Sequence, residues 1–378
     1  MQFSKVLIIG PGFEQRVSKM AFCFTKLGIK CEVLAEDAQV AEEFTNYIKD
    51  IPFYKIPVNE RLKRTPLGHQ RIAFIKEKII LASHTEKKVL IIARDVNYGA
   101  IVTDIVRRLC FNNIFVVTDV ADNYDLLYAS FNNPIKKLVL KLGFHFLTKK
   151  AFEHSDALLI VSAINEQRIK YAYFKTQNKP ILLLRNLPLF YKYYNSQDKI
   201  PKSFVYVGKI DEISRDPFYV LEKLKELKEY TLHFYSNQKR STIEKICATA
   251  KSFGLNDRVF VHKRVPYDEL SKEISRYSFG LVPHKRSPIT DYTVPNKIYD
   301  YKSSGIVTIM SDCPSLVNEN NEFGFGVTYS KEKDNFVSTV KNAENYKLDF
   351  SIQMPTWTDE FYDVIDKLDD IFDQKRAV

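Results

Sequence analysis

A short segment in the second half of the sequence carries groups that suit an anionic ligand. The segment V-P-N-K-I-Y-D-Y (294–301) places Pro295 where a helix can begin and follows it with Asn296 and Lys297. Proline is tolerated in the first turn of a helix, and the free amides of such a turn attract phosphate. Asp300 follows one turn later, at a distance suited to hydroxyl groups one sugar away from the phosphate. The alternative is an ordinary helix start with a solvated aspartate.

A second cationic segment precedes it in the same half. F-V-Y-V-G-K-I-D-E-I-S-R-D-P (204–217) reads as a strand, a glycine that permits close approach, Lys209, and then Arg215 before a helix that begins near Pro217. Two cations and a helix end would suit a diphosphate. Taken singly, Lys209 and Arg215 can also be solvated loop charges.

Composition narrows the functional classes. The net charge of +10 implies an anionic partner, which can be nucleic acid, a phosphorylated small molecule or a membrane surface. Five cysteines without a C-x-x-C pair, and seven histidines without metal-ligand spacing, predict neither a disulfide framework nor a zinc site. No run approaches the roughly 18 apolar residues of a membrane span. We therefore expect a cytoplasmic protein, either free or peripheral on the inner face of the cytoplasmic membrane.

Short apolar runs alternate with segments of helical period, which is typical of parallel sheets covered by helices. Each half of the chain contributes six runs, so we expect two doubly wound α/β domains. The runs lie at 6–9, 30–34, 89–93, 114–117, 157–161, 181–184, 204–207, 231–235, 259–262, 280–282, 307–310 and 326–328. Ligands of such sheets bind outside the carboxyl ends of the strands, and both cationic segments follow strands.

These segments resemble the donor-binding domain of the GT-B glycosyltransferases, in particular the family-4 type (glycosyl transferases group 1). G-K-I-D-E-I-S-R (208–215) is similar to the family's G-R/K-L…K/R loop, and 294–312 is similar to its P-x-K-x-x-E-Y-x-x-x-G-x-P-V segment. I-I-G-P-G-F (8–13), S-D-A-L-L-I-V-S (155–162) and V-F-V-H-K-R-V-P (259–266) are similar to further family motifs. The resemblance implies the GT-B fold, with two Rossmann-like domains facing across a cleft.

The resemblance also implies a domain organisation. We place an acceptor-binding domain at 1–187, a linker at 188–202 and a nucleotide-sugar-binding domain at 203–355. A C-terminal helix at 356–378 is expected to return to the first domain, as in the family.

The resemblance implies transfer of a sugar from a UDP- or GDP-linked donor to a saccharide acceptor, with retention of the anomeric configuration. It also implies a role in surface polysaccharide or glycoconjugate synthesis, where we expect the acceptor to be lipid-linked. No other cofactor is expected, and no metal, because the sequence lacks a D-x-D. The site residues carried over are Gly12, Lys209, Arg215, Asn296 and Lys297 for the diphosphate, Asp300 for the ribose, and Arg264 and Val265 for the base. Asp122, in a segment similar to the family's y-D-x-r/h-D-x-w, is the candidate catalytic residue that orients or deprotonates the acceptor hydroxyl. Alternatively, Asp119 or Asp122 caps the next helix.

The sequence also departs from the family. The acid expected eight residues before Asp300 is Tyr292, with Asp291 one place away. A catalytically silent GT-B subunit acting as a partner or scaffold is therefore the main alternative. A sugar-nucleotide epimerase shares the fold, but its acid and histidine pattern is not found. We expect no nucleic-acid partner, because no recognisable binding module is present.

Two basic amphipathic stretches in the first half suggest a membrane partner. N-P-I-K-K-L-V-L-K-L-G-F-H-F-L-T-K-K (133–150) carries five lysines around an apolar arc formed by Ile135, Leu138, Val139, Leu142 and Phe146. The second stretch is 61–78. Either such segments dock the acceptor side on anionic lipid, or the apolar arc faces the core of its own domain.

Overall fold

The computed structural model describes residues 3–37, 48–58, 68–176, 178–189, 191, 198–210, 212–236, 239–263 and 265–377. The chain divides into two compact units. The N-terminal unit comprises Met1–Leu189 and Trp357–Val378, and the C-terminal unit comprises Phe190–Thr356. Each unit is built around one parallel sheet.

The N-terminal unit contains a seven-stranded sheet in the order β3-β2-β1-β4-β5-β6-β7. Its strands are β1 (Lys5–Gly12), β2 (Lys30–Asp37), β3 (Phe53–Lys55), β4 (Val89–Arg94), β5 (Ile114–Val120), β6 (Ala157–Ile160) and β7 (Ile181–Leu183). Its helices include α1 (Gln15–Lys26), α2 (His69–Thr85), α3 (Asp95–Leu109), α4 (Pro134–His154) and α5 (Ala163–Ala172). Every residue of β4 and β5 is buried, as expected of parallel strands covered on both faces.

The C-terminal unit contains a six-stranded sheet in the order β10-β9-β8-β11-β12-β13. Its strands are β8 (Ile200–Val207), β9 (Thr231–Tyr235), β10 (Val259–His262), β11 (Tyr277–Val282), β12 (Val307–Ser311) and β13 (Gly326–Tyr329). Its helices are α6 (Pro217–Leu224), α7 (Arg240–Ser252), α8 (Tyr267–Ile274), α9 (Lys297–Ser303), α10 (Pro314–Phe323) and α11 (Phe336–Ala343) within the described residues. Aromatic and aliphatic side chains such as Phe204, Leu232 and Ile309 form its core.

The last helix, α12 (Trp357–Ala377), packs on the N-terminal unit. Trp357 is completely buried, and its backbone N–H donates to the carbonyl of Pro188 at 2.8 Å. The ring of Phe361 meets Phe24 of α1 edge-on at 4.9 Å between centroids. Burial of these large rings stabilises the docked helix.

The α/β fold class predicted from the alternating runs is confirmed, since all twelve runs contain a strand. The short edge strand β3 was not predicted. Its three residues are only partly buried or exposed, so they form no apolar run.

In each sheet the first strand of the unit lies inside the sheet. β1 lies between β2 and β4, and β8 lies between β9 and β11. The chain therefore runs from the first strand to one side of the sheet and later crosses to the other side, so the loops that follow β1 and β4, or β8 and β11, diverge. Such a switch point is where open parallel sheets bind ligands. In the C-terminal unit, the loops concerned are 208–216 after β8 and 283–296 after β11.

Candidate functional site

The turn after β8 presents bare backbone at the switch point. Gly208 has a φ of +103°, a conformation that a side chain would strain. The hydroxyl of Tyr206 donates to the carbonyl of Lys209 at 2.5 Å, and the N–H of Gly208 donates to the carbonyl of Tyr235 at 2.9 Å. These bonds fix the turn. The Lys209 side chain itself is exposed.

Lys297 lies directly beside this turn. Its Nζ is 3.9 Å from the centroid of the Tyr206 ring. It is also 3.7 Å from the point where a Cβ on Gly208 would stand. A cation held over an aromatic face is stabilised there without being neutralised. The structure thus joins two predicted segments, because Lys297 opens α9 and Gly208 follows β8.

The position of α9 depends on Tyr301, whose ring is completely buried. Its hydroxyl accepts from the N–H of Val207 at 3.1 Å. A Cβ on Gly280 of β11 would lie 2.3 Å from this ring, so the absence of a side chain there lets α9 approach the sheet. Tyr301 therefore sets the distance between the β8 turn and the start of α9.

Arg215 is brought to the same place by backbone pairing. Residues 214–216 and 283–285 run antiparallel: the N–H of Asp216 donates to Pro283 at 2.8 Å, and the N–H of Lys285 donates to Ser214 at 3.1 Å. Arg215 and His284 are the bridge partners. Arg215 is half-buried, and its guanidinium donates to the Ser214 hydroxyl at 2.9 Å. Within the described residues, its hydrogen bonds do not involve a carboxylate.

His284 is the neighbour that Arg215 and Lys297 share. Burial lowers the pKa of this imidazole well below its usual value, and the charges of Arg215 and Lys297 lower it further. The ring is therefore neutral at pH 7. Sequence reasoning missed His284, because a lone histidine without metal spacing carries no local signal. Its position two residues after the strand run 280–282 was the clue that could have identified it.

The other predicted donor residues have different environments. Asn296 is the half-buried N-cap of α9, and its side chain makes no capping bond. Asp300 is 7% exposed, and its carbonyl accepts from the hydroxyls of Ser303 and Ser304. Val265 is half-buried. Arg264 lies outside the described residues.

Tyr292 stands where the family has an acid, eight residues before Asp300. Tyr292 is half-buried and ends a 3₁₀ turn, Thr290–Tyr292. The carboxylate of Asp291 accepts from Arg286 at 2.8 and 3.3 Å. The nearest acid in sequence is therefore engaged by a side chain of its own loop.

In the N-terminal unit, Asp119 is the centre of a buried ion network. Its two oxygens accept from Arg16 at 2.8 and 2.9 Å, and Arg94 also donates to it. Burial alone would raise the pKa of Asp119, but Arg16 and Arg94 outweigh burial and lower it. Arg16 further donates to Asn186 at 2.8 Å. Asp119 is thus a structural carboxylate, and the suggestion that it caps the next helix is wrong.

Asp122 has the opposite electrostatics. Although the residue as a whole is exposed, its carboxyl group is largely surrounded by protein atoms. Loss of hydration there is the main cause that raises its pKa, the carboxylates of Glu14 and Asp119 raise it further, and Arg94 and Arg16 oppose the shift. Gly12, at the end of β1, has open space where a Cβ would stand. Gly12 ends β1 and Asp122 follows β5, so both positions lie at the carboxyl edge of the same sheet, with β4 between their strands.

A second acid at this edge was not predicted. Asp95 follows β4 directly and has a φ of +64°, which is rare for a residue with a side chain. Its Oδ1 accepts from the N–H groups of Asn97 and Tyr98 at 2.8 and 3.2 Å. Burial raises its pKa to about 7 despite these bonds. The sequence signal was an aspartate two residues after the run 89–93.

The apolar arc of α4 is exposed. Ile135, Leu138, Val139, Leu142 and Phe146 are between 58% and 75% exposed. The helix is anchored instead by Thr148, Ala151 and Phe152 near its C-terminus. The suggestion that the arc faces the core of its own domain is therefore wrong. In the second basic stretch, residues 61–67 lie outside the described residues, and α2 buries Ile75 and Ile79.

Neither a membrane span nor a metal cluster is found in the described ranges. None of the helices there is long and apolar enough to cross a membrane. No three His, Cys, Asp or Glu side chains in those ranges are grouped so that they could hold a metal ion.

No protein-family model matches the chain, and no curated protein matches it in sequence. Solved structures do match. Sucrose-phosphate synthase from Thermosynechococcus elongatus has a TM-score of 0.69 at 12% identity, with 99% of this chain and 98% of that one covered. The lipopolysaccharide outer core galactosyltransferase WaaB has a TM-score of 0.62 at 18% identity, with 97% and 96% covered. Anabaena HepE, in complex with UDP-glucose, has a TM-score of 0.60 at 10% identity, with 98% and 97% covered.

These matches, together with the two parallel sheets, establish the fold. The chain has the GT-B architecture of two Rossmann-like domains. At these identities the likeness establishes the architecture, and the chemistry has to be argued from the site.

Proposed function

We propose that the protein is a glycosyltransferase that uses a nucleoside diphosphate sugar as its donor. The observation that carries this proposal is the placement of Arg215 and Lys297 beside His284 and the bare backbone of Gly208, at the switch point of the C-terminal sheet. Two fixed cations at the carboxyl ends of parallel strands suit a diphosphate. The similarity to a galactosyltransferase and to a structure containing UDP-glucose supports the same reading.

The cations have a direct chemical use. When the bond between the anomeric carbon and the donor phosphate oxygen breaks, its electron pair remains on the diphosphate. Arg215 and Lys297 would stabilise that charge without reorganising, because backbone pairing and the Tyr206 ring already hold them. The exposed Lys209 can add a third positive charge. Asp300 is proposed to bind the ribose, and Arg264 and Val265 are proposed to bind the base.

The N-terminal unit is proposed to take the acceptor. Asp122 is exposed and has a raised pKa, which suits a carboxylate that orients or deprotonates a hydroxyl group. We expect transfer with retention, in line with the family resemblance. We also expect it to proceed without a divalent metal, because arginine and lysine supply the charge and the sequence lacks a D-x-D.

The exposed arc of α4 is proposed to contact a membrane. Five large apolar side chains on one face, with Lys136, Lys137, Lys141 and Lys149 exposed on the same helix, suit a helix lying in the interface of an anionic bilayer. Basic residues near such a surface contribute about 1 kcal/mol each. We therefore propose that the protein is peripheral on such a membrane and that its acceptor is a lipid-linked saccharide.

The experiment that tests the function is a transfer assay with UDP- and GDP-linked sugars and polyprenyl-diphosphate saccharides as acceptors. We expect release of one nucleoside diphosphate with formation of a product one sugar heavier by mass spectrometry, unchanged by EDTA. NMR of the product's anomeric proton reports retention. If one nucleoside diphosphate binds the protein but none of these donors is turned over with any of the acceptors, the transferase proposal fails.

One observation favours a second candidate. The acid expected eight residues before Asp300 is replaced by Tyr292, and Asp291 is engaged by Arg286. A GT-B subunit without turnover would bind the nucleotide and serve as a partner or scaffold. Binding without transfer, together with association with an active glycosyltransferase, is the result that would select this candidate.

A further inference from the structure

His284 is a buried polar side chain that the protein leaves unsatisfied. The residue is 4% exposed, and neither Nδ1 nor Nε2 has a hydrogen-bond partner among the described residues. A buried polar atom without a partner costs roughly 1–3 kcal/mol. Native proteins pair nearly all such atoms, so an exception calls for a functional explanation.

The place of His284 suggests what completes it. The residue follows β11 at the switch point, and its backbone bridges that of Arg215. The charges of Arg215 and Lys297 both act on its ring. The unpaired nitrogens therefore lie close to the two cations proposed for the donor diphosphate.

We propose that His284 is a donor-binding residue, in which the neutral imidazole donates one ring N–H to a phosphate oxygen of the nucleoside diphosphate. This inference rests on the proposed function. It adds a directional, neutral hydrogen-bond donor close to two cations, which would disfavour a protonated ring at that position.

Neutrality matters for this role. Burial and the two cations hold the pKa of His284 well below 6.5. A neutral imidazole offers one N–H and one lone pair, whereas a protonated ring would add charge beside Arg215 and Lys297. An ordinary packing histidine would instead pair its nitrogens with carbonyl or carboxylate oxygens of the protein.

The test uses His284→Phe, which keeps a ring but removes both nitrogens, and His284→Gln, which keeps a neutral N–H donor. The exposed His69→Gln is the control. Isothermal titration is carried out with UDP, GDP and the corresponding nucleosides. We expect His284→Phe to weaken diphosphate binding by about tenfold to thirtyfold and to leave nucleoside binding within about twofold. His284→Gln is expected to restore most of the loss.

A second readout is made on the wild-type protein. The ring ¹⁵N signals of His284 in the wild-type protein, assigned by comparison with His284→Gln, should move when the nucleoside diphosphate saturates the site and stay in place with the nucleoside. If the wild type binds UDP or GDP while its His284 signals stay in place and His284→Phe binds equally well, the inference is wrong and the proposed function stands. If the wild type binds neither nucleotide, both are wrong.

Discussion

The ammonium group of Lys297 lies 3.9 Å from the centroid of the Tyr206 ring and next to the backbone of Gly208. Gly208 and Lys297 are 89 positions apart in the sequence. The contact is therefore a product of the fold, which sets α9 against the carboxyl end of β8. It holds a cation where a phosphate could approach the bare turn.

Gly208→Ala tests the turn. A φ of +103° strains any residue with a Cβ, so the free energy of unfolding should fall by about 1–2 kcal/mol, and nucleotide affinity should fall with it. Urea denaturation measures the first and titration calorimetry the second. The matched control is Gly143→Ala, in the exposed part of α4 with open space around it, which should stabilise the fold by about 0.5–1 kcal/mol. Equal effects of the two substitutions would argue against a strained turn at Gly208.

Asp119→Asn tests the buried ion network. The change removes the buried carboxylate that pairs with Arg16 and Arg94, although Arg94 keeps its ion pair with Glu14, and we expect a loss of about 3–5 kcal/mol in the free energy of unfolding. Asp363→Asn, which removes an exposed pair with Lys367 on α12, is the control and should cost less than about 0.5 kcal/mol.

The same network predicts a pH dependence. The folded-state pKa of Asp119 is lowered, so its contribution to stability is present above the unfolded value near 3.9 and is lost as the pH falls through the folded value. Chemical denaturation between about pH 6 and pH 3 should therefore show a shallower loss of stability on acidification in Asp119→Asn than in the wild type. Parallel profiles would show that Asp119 is not the responsible group.

Asp122→Asn separates catalysis from stability. Because Asp122 is exposed and the ion pairs of Asp119 are with Arg16 and Arg94, we expect the free energy of unfolding to change by less than about 0.5 kcal/mol. Transfer should slow by roughly 10²–10⁴-fold if Asp122 acts on the acceptor hydroxyl, with donor affinity unchanged. Single-turnover assays and titration calorimetry provide the two numbers. Normal transfer in this variant would remove Asp122 from the mechanism.

The exposed arc of α4 predicts membrane binding. Leu138→Ser combined with Leu142→Ser should weaken sedimentation with phosphatidylglycerol vesicles by at least about tenfold, because two apolar side chains no longer enter the interface. Leu81→Ser changes a leucine that is 52% exposed on α2 and should have no effect. Binding to neutral phosphatidylcholine vesicles should be weaker than to anionic ones, and salt should reduce it. Equal partitioning of both variants would leave the arc without a role at a membrane.

The strands and the fold class could be read from the sequence because buried parallel strands are nearly continuous apolar runs. The three-residue strand β3 could not, since its side chains are only partly buried or exposed. The orientation of the α4 arc could not be read either, because a helical apolar stripe has the same period whether it faces a core or solvent. Only the tertiary structure distinguishes the two.

Part of the candidate site could also be predicted from the sequence. The cations Lys209 and Arg215 on the loop after the strand run 204–207 are visible in the sequence, and Lys297 was predicted from the helix start at Pro295 and the family resemblance. His284 was not predicted, because it reaches the site through the backbone pairing of 214–216 with 283–285, two segments that are distant in sequence. The alternative that Asp119 caps the next helix was wrong, because its carboxylate pairs with Arg16 of α1 and with Arg94 at the end of β4, which are distant in sequence.

The central claim, that Arg215 and Lys297 bind a diphosphate, is tested most directly by titration calorimetry with UDP and GDP. We expect the wild-type protein to bind one of them, Arg215→Ala and Lys297→Ala each to weaken that binding by about tenfold to a hundredfold, and the exposed Lys251→Ala to leave it unchanged. Binding of equal strength in all four proteins, or no binding of either nucleotide by the wild type, would contradict the claim.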